Sequence, residues 1–123
     1  MTRLATLALL LVSFASVSAQ DFAGKWSGSF VTTRPDGTPG NERIYLEIKQ
    51  TGTEVTGTAG PNVEKQWPLK GKVESGKLMF EVQSEGPLIK FMLALSEGHL
   101  KGEASAEDGG RKLTAQVDAE RVK

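Results

Sequence analysis

Along most of this chain apolar and polar residues alternate with a period of two. Trp26, Gly28 and Phe30 fall on one face of the segment Gly24 to Thr32, and Ile44, Leu46 and Ile48 on one face of Arg43 to Gln50. Val55, Gly57 and Ala59 do the same in Glu54 to Ala59, as do Trp67, Leu69, Gly71 and Val73 in Gln66 to Glu74. The spacing recurs in Leu78, Phe80 and Val82, then in Ile89, Phe91, Leu93 and Leu95 between Leu88 and Leu95. It closes with Leu100, Gly102 and Ala104, and with Leu113, Ala115, Val117 and Ala119. Period two puts every second side chain on one side of an extended backbone, so each segment predicts a strand with one face in a core and the other in water. Beyond residue 19 no window of helical length repeats every 3.6 residues.

Glycine marks the joints. Gly52, Gly76, Gly98 and Gly110 each open a turn that feeds an alternating segment, and Gly60-Pro61-Asn62 and Glu85-Gly86-Pro87 are further turn signals. The Glu97-Gly98 and Glu74-Ser75-Gly76-Lys77 links are tight, and Ala106 to Gly110 reads as the link before the last strand. Arg34 to Glu42, with two prolines and two glycines, reads as the longest loop. Such short links join antiparallel neighbours and leave no room for crossover helices. The predicted fold is all-β: an eight-stranded antiparallel up-and-down meander. Closure into a barrel removes the two exposed edges that an open meander or a two-sheet sandwich would keep.

In this register the inward face holds no Asp, Glu, Lys, Arg or His, four glycines (Gly28, Gly57, Gly71 and Gly102) and several alanines. Glycine inside strands points to tight curvature or to large neighbours packing over it. Trp26, Phe30, Trp67, Phe80 and Phe91 are large enough to fill the space, and an eight-stranded barrel accommodates either a solid plug or one small ligand. The five aromatics are therefore the candidate ligand-binding residues. A pocket below about 300 Å³ with Trp26 and Trp67 packed over it would instead mean a filled barrel.

The first nineteen residues stand apart. Arg3 and the amino terminus precede an apolar run from Leu4 to Val12, and Val17-Ser18-Ala19 places small residues where signal peptidase reads them. The run is too short for a membrane span, and no cysteine follows it as a lipid acceptor. The expected organisation is a signal peptide over 1–19 and one barrel domain over 20–123, exported to the periplasm or secreted. The remaining 104 or so residues suit a single domain. With Arg3 removed, 14 basic side chains face 15 acidic ones, a balance that offers no footprint for nucleic acid. The absence of cysteine leaves burial and sheet hydrogen bonds to stabilise the fold.

Chemistry-bearing groups are sparse. His99 is the single histidine and reads as a solvated turn residue pointing away from Leu100. One histidine without cysteine does not make a usual zinc site, and Glu103, Glu107 and Asp108 lack the spacing of a calcium loop. The carboxylates alternate with lysines on outward positions, so no catalytic residue is nominated and no cofactor is expected. One outward feature breaks the polar pattern: Tyr45, Met79, Leu88, Met92 and Ala94 are apolar on the water side, with Met79, Leu88 and Met92 on adjacent strands. They form one candidate surface for a protein partner, and the 34–42 loop is the other.

Gly24-Lys25-Trp26, at the mouth of the first strand, resembles the entry of the lipocalin and avidin group of meander barrels, in which the tryptophan packs across the closed end. The chain as a whole is similar to small, glycine-rich lipocalin-like domains of secreted bacterial proteins. Val55-Thr56-Gly57-Thr58 is similar to a later avidin strand, but avidins place an asparagine where this chain has Gly28, so their biotin contacts do not carry over. The layout also resembles periplasmic metalloprotease inhibitors, which carry a disulfide and a longer free N-terminal segment than Gln20 to Ala23 provides. The expected function is that of a non-enzymatic binding module holding a small apolar ligand in the barrel mouth. The alternative is an inhibitor-like interaction protein with a filled core.

Overall fold

The computed structural model describes residues 21–33 and 37–122. The segment 1–19, expected from the sequence to be a signal peptide, and residues 34–36 of the expected 34–42 loop lie outside the described residues. Eight strands follow in order: β1 (Gly24–Thr33), β2 (Pro39–Thr51), β3 (Glu54–Gly60), β4 (Trp67–Glu74), β5 (Lys77–Gln83), β6 (Leu88–Ser96), β7 (His99–Asp108) and β8 (Arg111–Arg121). Each pairs antiparallel with the next, and β1 pairs with β8, so the meander closes into a barrel without an edge. This architecture is consistent with a calycin-type fold in general. No helix among the described residues is long and apolar enough to cross a membrane.

The turns follow the backbone twist. β4–β5, β6–β7 and β7–β8 are joined by Ser75-Gly76, Glu97-Gly98 and Gly109-Gly110, with positive φ at both residues of each pair. That is the type I′ geometry that matches the right-handed twist of the flanking strands. Ser75 and Glu97 (φ 53° for both) hold this conformation against their own Cβ atoms. Replacing Glu97 with Asn is expected to raise stability by roughly 0.5–1 kcal/mol, seen as a higher urea midpoint with an unchanged slope.

Most boundaries fall within a residue of those predicted, and two differ by more. β2 begins at Pro39 rather than Arg43, with Pro39 opposite Thr33, Gly40 opposite Thr32 and Glu42 opposite Phe30. Proline is tolerated as the first residue of a strand, where its missing N–H interrupts no ladder, so the loop ends before Pro39 instead of reaching Glu42. The segment from Ala106 also stays paired, through Ala106–Leu113, Glu107–Lys112 and Asp108–Arg111, because Gly109-Gly110 suffices for the turn. The longer ladders correct the inward inventory, which is not free of charge. Glu42 shares the inward register of Phe30 and Ile44, and Arg121 that of Trp26.

The inward glycines mark close approaches between backbones. A Cβ on Gly28 would fall on the Asp118 carbonyl oxygen of β8, and one on Gly71 on the Met79 carbonyl oxygen of β5. Gly57 and Gly102 meet the backbones of β2 and β6 in the same way. These are the points where a small barrel's strands bend.

The barrel is plugged at one end. Phe22, Trp26, Val55, Leu78, Leu93 and Leu100 are its most deeply buried large side chains. Trp26 donates its indole N–H to the Phe22 carbonyl at 2.9 Å. Arg121 lies over the Trp26 ring at 4.4 Å and donates to the Ala23 and Asp21 carbonyls at 2.5 and 2.8 Å. Gln50 accepts the Phe22 N–H at 2.8 Å, which fixes the entering segment across this end. The closed-end position expected for the Gly-x-Trp tryptophan is the one observed.

Candidate functional site

β1 rises from the plugged end, so its far half, the start of β2, the end of β3 and the starts of β4 and β6 surround the opposite end. A cavity of about 230 Å³ opens there, lined chiefly by Phe30, Ile44, Ala59, Trp67, Ile89 and Phe91, with Glu42 and Ser84 among its polar groups. Alternation builds this wall. Phe30 faces Glu42 across β1–β2, Ala59 faces Trp67 across β3–β4, and Val82 faces Ile89 across β5–β6, all on the inner side. Phe91 stacks on Phe80 at 4.6 Å and meets Phe30 in a tilted contact at 6.1 Å. Each such pair adds about 0.5–1.5 kcal/mol beyond its burial and fixes the rings that floor the cavity.

The rim is organised by hydrogen bonds. Asn62 Oδ1 accepts the Glu64 and Lys65 amides at 3.0 and 2.8 Å, and Gln66 donates to the Asn62 carbonyl at 2.7 Å. The Lys65 ammonium lies 5.6 Å from the Trp67 ring centroid and 3.0 Å from Glu85, tying the β3–β4 and β5–β6 loops together beside the opening. Both partners of that ion pair are exposed, so it orders the rim more than it stabilises the fold.

The five sequence candidates therefore divide. Phe30, Trp67 and Phe91 line the mouth cavity. Phe80 is buried behind Phe91, and Trp26 belongs to the plug at the other end. At about 230 Å³ the space is smaller than the 300 Å³ of a typical ligand pocket. Trp67 stands half-buried in the wall without capping it. The barrel is thus filled at one end and holds a small cavity at its mouth. Glu42, which the sequence reading assigned to a loop, was recoverable by counting back two places from Ile44.

His99 is more than a solvated turn residue. It begins β7, and its Nδ1 lies 2.7 Å from Asp118 Oδ1 while Nε2 lies 3.0 Å from Glu120 Oε1. Both ring nitrogens thus face carboxylates on β8. Among the described residues no three His, Asp or Glu side chains converge on a metal geometry.

The outward apolar residues also sort themselves. Met79 and Met92 are directly opposite across β5–β6, with Ala94 one outward position on from Met92. They lie in a broad groove of about 1280 Å³ on the outer wall, flanked by Lys70, Lys72, Lys77, Glu81, Lys90 and Glu103. Met92 is 50% exposed. Leu88 sits at the far end of β6 opposite Gln83, and Tyr45 lies under Arg43 at 5.8 Å. Beside the groove, a 2.8 Å contact from Lys72 to Glu74 raises the lysine's pKa and lowers the glutamate's, through the hydrogen bond first and charge attraction second. Both groups are fully exposed, so the pair does not define a site. Comparison of the chain with protein-family models, with curated proteins and with solved structures returns no match.

Proposed function

We propose that this chain is a lipocalin-like, non-enzymatic binding module, exported to the periplasm or secreted, whose open end holds a small and largely apolar ligand. The observation that carries this reading is the aromatic mouth cavity beside a fully packed plug. A space of about 230 Å³ suits a single ring or a short acyl chain, not a lipid with long tails. Transfer of that apolar surface from water is worth about 25 cal/mol per Å² before ordering costs, which supports micromolar rather than tight binding for so small a body.

The test is a titration of the folded protein with 1-octanol, followed by tryptophan fluorescence. Trp67 lies in the wall of the site, and Trp26, the only other tryptophan, lies in the plug. A saturable change in the Trp67 signal is expected, and an Ile89→Trp variant that occupies the cavity should abolish binding while keeping the β-sheet circular dichroism. No response from well-folded protein would move the assignment to the second reading, a protein contact through the outer groove. The half-exposed Met92 beside Met79 favours that alternative.

A further inference from the structure

We propose that the mouth cavity selects ligands that join an apolar body to a cationic head, with Glu42 as the counter-charge; the inference rests on the binding reading above. Glu42 occupies an inward register position, opposite Phe30, where the neighbouring positions of the same face are apolar. It lines the cavity with Phe30, Ile44 and Trp67 while remaining solvated at the rim. Among the described residues its carboxylate has no hydrogen-bond or ion-pair partner.

The other charged lining residue does not cancel it. Arg43 alternates to the outer face opposite Ser29, and its guanidinium lies 5.8 Å from the Tyr45 ring centroid. At the rim, Lys65 is held by Glu85 and the Trp67 ring. A ligand whose apolar part reaches Phe91 therefore finds one uncompensated carboxylate at the entrance and aromatic faces below it, and both attract a cation. A carboxylate head in the same pose meets like charge. Because Glu42 is solvated, the preference is moderate and sensitive to salt.

The experiment compares three probes of equal chain length, octylamine, 1-octanol and octanoate, by Trp67 fluorescence and calorimetry at low ionic strength and pH 7. Affinity should fall in that order, with at least a fivefold gap between amine and octanoate that narrows in 0.5 M salt. Glu42→Gln should bring the three affinities within about twofold of each other. Glu47→Gln, which removes the same charge from the outer face of β2, should leave the order intact. If octanol binds but all three affinities are equal, or octanoate binds tightest, the cation preference is overturned while the binding reading stands. If no probe binds to folded protein, the binding reading fails and takes this inference with it.

Discussion

Replacing Gly71 with alanine is expected to lower stability by roughly 2–4 kcal/mol, a large share of what a domain of this size possesses. An added Cβ would land on the Met79 carbonyl oxygen and lie 2.5 Å from the Phe80 Cα, both backbone atoms of the neighbouring strand. Backbone cannot rotate aside as a long side chain can. β4 and β5 would have to separate at the Gly71–Phe80 pair, beneath the Phe80–Phe91 stack that floors the cavity. The melting temperature should fall by about 10–25 °C, and the mouth site should loosen in the fraction that remains folded. Gly28→Ala should behave alike, since its Cβ would meet the Asp118 carbonyl where β1 and β8 close the barrel. Gly86→Ala is the control. That glycine has open space around it and no positive φ, so a change within about 0.5 kcal/mol is expected. Equal effects at Gly71 and Gly86 would mean that the loss comes from generic backbone stiffening and not from strand contact.

The same glycines show why the fold was largely legible in the sequence. Alternation states which face each residue takes, and the apolar inward positions of all eight strands were readable from it because one side of every strand is buried. Closure was legible because every link is short and eight strands leave two edges to remove. The start of β2 was not. Pro39 and Gly40 carry turn chemistry, yet their pairing with Thr33 and Thr32 is driven by the long partner strand β1. Tertiary pairing overrode the local signal, and the misplaced boundary hid Glu42.

Depth within the barrel is a subtler case. Trp26 and Trp67 both alternate inward, but alternation says nothing about height along the barrel axis. Strand direction does: Trp26 starts an odd-numbered strand and Trp67 an even-numbered one, so a meander must place them at opposite ends. The volume left at the mouth has no sequence signature at all. It depends on how far the rings of Phe30, Phe80 and Phe91 interdigitate, which is set by packing and not by order along the chain.

That separation of the two tryptophans gives the second large effect. Trp26→Ala should destabilise the fold by about 3–5 kcal/mol, the cost of emptying a buried aromatic site that cannot collapse. The residue is 1% exposed, and its removal also takes the donor from the Phe22 carbonyl and the ring from beneath Arg121. Trp26→Phe keeps an apolar plug and loses mainly the indole hydrogen bond, so a cost nearer 1–2 kcal/mol is expected. The losses from Trp26→Phe and Arg121→Gln should not add, because both act on the strap Asp21–Ala23 that the guanidinium and the indole hold together. Denaturant midpoints of the two single variants and the double variant measure that coupling. Trp26→Phe also leaves Trp67 as the sole tryptophan, and the plug does not contribute to the mouth cavity. The affinity for 1-octanol, read from Trp67 alone, should therefore match the parent within about twofold despite the lower stability. A tenfold loss would mean that the plug and the mouth act as one unit and that the site depends on the whole interior instead of its open end.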